Sequence, residues 1–63
     1  MAISGKEFLT LLEENGWKSI SIEGSHHKYR KDNVTITVPV HGSKNLKVGL
    51  LAALRRQTGI DVR

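Results

Sequence analysis

The chain has 63 residues, 38% of them hydrophobic, with one Trp, one Tyr, one Phe and no cysteine; ten Lys and Arg against six Asp and Glu leave a formal net charge of +4. A domain this small hides only about 60% of the surface its unfolded chain exposes. It can fill a compact two-layer core but not wall off a large ligand cavity, so its chemistry belongs on the surface. The lack of cysteine excludes disulfide staples and thiolate metal sites and fits a reducing compartment. No apolar run reaches the roughly 20 residues of a membrane span, and the first residues lack a basic-then-apolar signal layout. One soluble cytoplasmic domain over residues 1–63 is expected.

Ser4-Gly5-Lys6-Glu7 has the S-x-x-E form of a capping box, in which hydroxyl and carboxylate satisfy orphan backbone N–H groups at a helix start. Phe8, Leu11 and Leu12 fall at i, i+3 and i+4, and Asn15-Gly16 tolerates left-handed geometry, so the first helix is predicted over residues 5–15. Trp17, Ser19, Ser21 and Glu23 alternate with Lys18, Ile20 and Ile22, a period of two that predicts a strand. Gly24-Ser25 is turn chemistry, His26 to Lys31 reads as a second strand, and Asp32-Asn33 suits a second tight turn. In the third strand Val34, Ile36, Val38 and Val40 share one face and Thr35 and Thr37 the other, with Pro39 marking an edge or a strand end. His41 to Asn45 is a polar loop offering Ser43 or Asn45 as N-cap for a second helix, with a stripe of Val48, Leu51 and Leu54, or Leu50 and Leu54. Gly59 should stop that helix and Ile60 supply the hydrophobic contact beyond it. The order helix, three strands, helix predicts an α+β fold in which two helices cover one face of a three-stranded antiparallel sheet.

Three of the six acids, Glu7, Glu13 and Glu14, lie in the first quarter, and from Lys28 onward only Asp32 and Asp61 oppose a run of Lys and Arg. Such a surface attracts phosphate polyanions and makes nucleic acid the leading partner class, although charge of this size also serves solubility alone.

Four segments carry a resemblance: Gly24-Ser25-His26-His27-Lys28-Tyr29, Thr37-Val38-Pro39-Val40-His41-Gly42, Leu46-Lys47-Val48-Gly49 and Leu54-Arg55-Arg56-Gln57-Thr58-Gly59-Ile60. In order, spacing and chain length they resemble HicA toxins, over almost the whole chain. The resemblance implies a double-stranded-RNA-binding-domain-like fold and an mRNA-cleaving toxin (an mRNA interferase) that inhibits translation. It further implies silencing by a HicB antitoxin that covers the active surface, and an essential histidine in the Gly-Ser-His segment. The free toxin is expected to be a monomer that forms a hetero-oligomer with its antitoxin.

His26 and His27 are both candidates for the catalytic group, because the family segment carries its histidine at either position. Alternation puts His26 with Lys28 and Arg30 on one face and His27 with Tyr29 and Lys31 on the other, which favours His26 unless a bulge after Gly24-Ser25 swaps the faces. Imidazole, with an ordinary pKa of about 6.5, takes and gives a proton near neutrality. RNA hydrolysis then requires no metal: a base deprotonates the 2′-hydroxyl, which attacks the adjacent phosphorus while Lys28, Arg30 and Lys31 stabilise the phosphoryl oxygens. His41 or the other member of the pair is available to protonate the leaving oxygen, and Lys44 and Lys47 join the expected RNA-binding set. No cofactor and no metal are expected, since adjacent strand residues face apart and no carboxylate or cysteine has ligand spacing. The plainer roles are solvated surface for the histidines, edge-strand protection for Lys28, Arg30 and Lys31, core for Trp17, and dipole compensation for Arg55 and Arg56. The competing functional reading is a non-catalytic double-stranded-RNA-binding module; a third is a structural partner whose sheet face or edge docks another protein.

Overall fold

The computed structural model describes residues 2–61. It consists of helix α1 (Gly5–Glu14), strands β1 (Lys18–Glu23), β2 (His26–Lys31) and β3 (Val34–Pro39), and helix α2 (Val48–Thr58). The strands form one antiparallel sheet in the order β1-β2-β3. This is the predicted α+β architecture, consistent with the double-stranded-RNA-binding-like arrangement.

The capping box is formed: the Glu7 amide donates to Ser4 Oγ at 3.1 Å, and the Ser4 amide donates to Glu7 Oε1 at 2.8 Å. At the other end Gly16 takes φ +88°, its amide donates to the Glu13 carbonyl at 3.2 Å, and the Trp17 amide donates to the Leu12 carbonyl at 2.9 Å. That pair of bonds is a Schellman stop, and buried Leu12 and Trp17 are its hydrophobic contact.

The core lies between the helices and one sheet face. Phe8 and Leu12 of α1 and Leu51 and Leu54 of α2 join Tyr29, Ile36 and Val38 of the sheet, with Ile3, Trp17, Leu46 and Ile60 completing the cluster. Phe8, Leu12 and Val38 are wholly buried, and truncating a buried Phe to Ala costs about 3–5 kcal/mol. Helix α1 enters almost against the sheet: a Cβ on Gly5 would sit 2.5 Å from the Pro39 carbonyl oxygen.

Three local expectations differ from the structure. A β-bulge between Ser19 and Ser21 shifts the phase of β1: Ser19 opposes Tyr29 on the core side, whereas Ser21 opposes Lys28 and Glu23 opposes His26 on the other side. The alternation read from Trp17 to Glu23 therefore holds only on either side of the bulge, and Ile20 and Ile22 remain exposed. The N-cap of α2 is Lys47, without a side-chain cap bond, rather than Ser43 or Asn45. Asn45 instead forms an antiparallel bridge with Ser4, and the Leu46 amide donates to the Ile3 carbonyl at 2.8 Å. Pairing to the segment before α1 holds residues 45 and 46 extended, so the helix starts later. Val48, at 85% exposure, lies outside the buried stripe of Leu51 and Leu54.

Candidate nucleic-acid interface and active site

Strand β2 begins directly after the two-residue loop Gly24-Ser25, in which Gly24 takes φ +59°, a conformation glycine adopts without a Cβ clash. Its pairing with β3 is unbroken from His26↔Pro39 to Lys31↔Val34, and the Val40 amide extends the ladder to the Ser25 carbonyl at 2.7 Å. The bulge of the sheet falls on β1, so alternation along β2 is strict. His26, Lys28 and Arg30 are exposed on the face away from the helices, while His27 is half-buried and Tyr29 fully buried on the helix side.

The register sorts the outer face into three rows. Lys18, Arg30 and Thr35 form one, Ser21, Lys28 and Thr37 the next, and Glu23, His26 and Pro39 the third. Lys18 opposite Arg30 is a like-charge cross-strand pair, an arrangement that costs up to about 1 kcal/mol where nothing intervenes. An anion laid over the sheet would remove that cost. Lys18 is a cation that sequence reasoning missed, because its row depends on the register between β1 and β2.

On the helix side, the Tyr29 hydroxyl donates to Glu13 Oε2 at 2.8 Å, and Lys31 Nζ donates to the Asn15 carbonyl at 2.8 Å. Burial, then the hydrogen bond to the Glu13 carboxylate and its negative charge, push the Tyr29 phenol above its ordinary value of 10.0. The Lys31 ammonium sits at the C-terminal end of α1, where a cation complements the helix dipole. Of the three β2 cations expected to meet RNA, Lys28 and Arg30 share the His26 face and Lys31 does not. Arg30 uses one donor, Nε, on the Asp32 carbonyl at 3.2 Å, leaving the remainder of its guanidinium fork.

His41, Lys44 and Lys47 come together elsewhere. Between the end of β3 and the start of α2 lies a cleft of about 570 Å³, in which these three side chains and Asn45 accompany apolar Pro39, Leu46 and Leu50. Because Pro39 is the cross-strand partner of His26, the cleft opens one strand spacing, about 4.8 Å, from the His26 backbone. Arg55 lies at the far end of α2, paired with Asp61 at 3.1 Å, and Arg56 follows it in the helix's last turn, away from both groups. Among the described residues no three His, Asp or Glu side chains gather as metal ligands, and no helix is long and apolar enough to cross a membrane.

Residues 5–60 match the family model of the HicA toxin of bacterial toxin-antitoxin systems. The chain belongs to the HicA toxin family. No curated protein matches it. The matched span runs from the first residue of α1 to Ile60 and so contains the outer sheet face and the cleft alike. Membership in the HicA family makes this a toxin-antitoxin component, whose partner in general terms is an antitoxin. Within this HicA fold the sequence-predicted residues divide into His26, Lys28 and Arg30 on the open face, His27 and Lys31 on the helix side, and His41, Lys44 and Lys47 in the cleft. The sequence reads Pro39 as a strand end, Leu46 as part of a resemblance segment and Leu50 as part of a helix stripe, but nothing in it brings the three together beside the polar loop from His41 to Asn45.

Proposed function

We propose that this member of the HicA family is a metal-independent endoribonuclease that cleaves mRNA and so inhibits translation in the cytoplasm. One observation carries the reading: His26 stands exposed in line with Lys28 and Arg30 on the sheet face that no helix covers. An imidazole beside two phosphate-binding cations has the components of 2′-hydroxyl activation. The imidazole removes the 2′-hydroxyl proton, O2′ bonds to the adjacent phosphorus, and the P–O5′ bond breaks. Lys28 and Arg30 stabilise the charge gathering on the phosphoryl oxygens. The leaving O5′ takes a proton from a second acid, for which His41 and His27 are the candidates, or from solvent, and the product carries a 2′,3′-cyclic phosphate.

The half-buried position of His27 beside Tyr29 supports a packing role for it and favours His26 as the group that meets RNA. A HicB-type antitoxin laid over the uncovered sheet face would screen the cations and block His26 together, converting the monomeric toxin into a silent hetero-oligomer. The competing reading, a non-catalytic double-stranded-RNA-binding module, fits the element order but not the size. Such modules span about 16 base pairs, more than roughly 40 Å of duplex, and the described residues extend 27 × 26 × 18 Å.

The test is cleavage of a defined RNA in EDTA by the wild type, His26→Ala and His27→Ala, with circular dichroism confirming each fold and the product ends identified chemically. Cleavage lost in one histidine variant, with cyclic phosphate ends from the wild type, is expected. Binding without cleavage by all three would falsify the enzyme reading, and 5′-phosphate ends alone would overturn the 2′-hydroxyl route.

A further inference from the structure

We propose that the cleft between β3 and α2 seats one unpaired nucleotide of the RNA, so that the toxin takes its substrate single-stranded at the point of attack. The placement of that nucleotide beside the cut rests on the ribonuclease reading above; the binding preference does not.

The lining of the cleft selects the ligand. His41, Lys44 and Lys47 are exposed, and no hydrogen bond or ion pair to another described residue engages their side chains, so their charge or donor capacity is available to an anion. Beside them lie Pro39 and Leu50, half-buried, and Leu46, only 7% exposed, which give the cleft an apolar wall. A free phosphate has no use for such a wall. A base-paired duplex has none either, because its bases are stacked inside and it presents phosphates, 2′-hydroxyls and groove edges. An unpaired nucleotide offers both halves: a phosphate for Lys44 and Lys47, and a base to pack against Pro39, Leu50 and the His41 ring. The volume, about 570 Å³, falls within the roughly 300–1,000 Å³ of small-ligand sites.

Position completes the case. The Val40 amide bonds the Ser25 carbonyl and Pro39 pairs with His26, so the cleft continues the outer-face row of His26, Lys28 and Arg30 past the end of β2. A strand laid along that row, with phosphates on Arg30 and Lys28, reaches His26 and then the cleft. The nucleotide splayed into the cleft would be next to the phosphodiester facing His26, and unstacking it frees the 2′-hydroxyl for in-line attack.

The experiment uses the full chain carrying His26→Ala and His27→Ala, which keeps RNA intact during titration. Its affinity is measured for a ten-nucleotide single strand and for the same strand in a perfect duplex. Amide shifts are then followed with adenosine 3′-monophosphate and with inorganic phosphate as probes. The single strand should bind more tightly by about five-fold or more, the lower end of what stacking one base contributes. The nucleotide should shift the amides of Lys44 to Leu50 where equal phosphate does not. Adding Lys44→Ala and Lys47→Ala, both at exposed positions, should weaken the single strand more than the duplex and bring the ratio towards one. Equal affinity for the two RNAs, equal shifts with phosphate, or an equal loss for both RNAs in the lysine variant would each overturn the proposal. If wild-type chain fails to cleave RNA in the separate assay while these preferences persist, the ribonuclease reading falls and the nucleotide site stands.

Discussion

On one side of strand β2, His26, Lys28 and Arg30 stand exposed, and apart from a single Arg30 bond to the Asp32 carbonyl their side chains make no hydrogen bonds with the described residues. On the other side, the same kinds of residue are tied into the fold: Tyr29 bonds Glu13, Lys31 bonds the last turn of α1, and His27 is half-buried between them and the turn. Neighbouring positions with similar chemistry thus have opposite uses, and what divides them is the side of the sheet that the helices occupy. A cation whose donors already meet a helix terminus contributes to stability; one left over open sheet, with Lys18 facing Arg30 from the next strand, raises the local potential for a polyanion.

The largest effect expected from breaking this division is in catalysis. His26→Ala should lower the single-turnover cleavage rate by about 10²–10⁴-fold, the usual contribution of a positioned acid or base, with an unchanged melting curve. His27→Ala should lose stability first and rate second. A rate loss confined to His27→Ala would reverse the assignment of the two faces.

Next in size is Gly5→Ala. Helix propensity alone favours alanine at this position, but the new Cβ would meet the Pro39 carbonyl oxygen at 2.5 Å, and overpacking of this kind costs about 1–3 kcal/mol. Urea denaturation should show destabilisation; a more stable variant would mean that α1 does not seat on β3 as described.

Tyr29→Phe should cost about 0.5–1.5 kcal/mol through its bond to Glu13 while sparing cleavage measured well below its melting temperature. The folded protein holds the phenol proton more tightly than the unfolded chain, because burial and Glu13 raise its pKa above 10.0. The resulting stability is therefore fully present below about pH 10 and is lost as pH rises through the folded-state value. Urea midpoints between pH 8 and pH 11 should accordingly decline less steeply in Tyr29→Phe than in the wild type, and identical declines would dissociate this residue from the alkaline loss.

The smallest and most discriminating pair is Lys28→Ala against Lys31→Ala. The first should leave stability alone and reduce the salt slope of single-stranded RNA binding by about 0.7, one phosphate contact. The second should lower stability by about 0.3–1 kcal/mol through the lost helix-end contact and leave the slope unchanged. Fluorescence anisotropy over a salt series, beside thermal melts, separates the two, and equal slopes in both variants would erase the functional distinction between the faces.

Much of this molecule is legible residue by residue because the signals are local. Ser4 and Glu7 lie three residues apart and cap each other; Asn15-Gly16 and Gly59 stop the helices through their own backbone angles; Gly24-Ser25 and Asp32-Asn33 turn the chain within two residues; and strict alternation separates His26 from His27. Together with the four resemblance segments, these local rules were enough to specify the element order and the HicA family, and they favoured the outer face for His26 subject to the absence of a bulge in β2, which the register supplies. What remained undetermined depended on distant partners. The bulge near Ile20 arises in how β1 meets β2, which decides that Lys18 joins Arg30 and that Lys28 is opposed by Ser21. The capping of α2 at Lys47 follows from the bridge between Ser4 and Asn45, some forty residues apart in the chain. Gly5 is required by the Pro39 carbonyl and not by its helix. The cleft exists only because β3 ends beside the segment leading into α2, bringing Pro39, His41, Lys44 and Lys47 around Leu46 and Leu50. Side-chain spacing within an element is set by backbone geometry and can be read in one dimension, whereas the closing of segments on one another is set by packing of the whole core, and only the tertiary structure decides it.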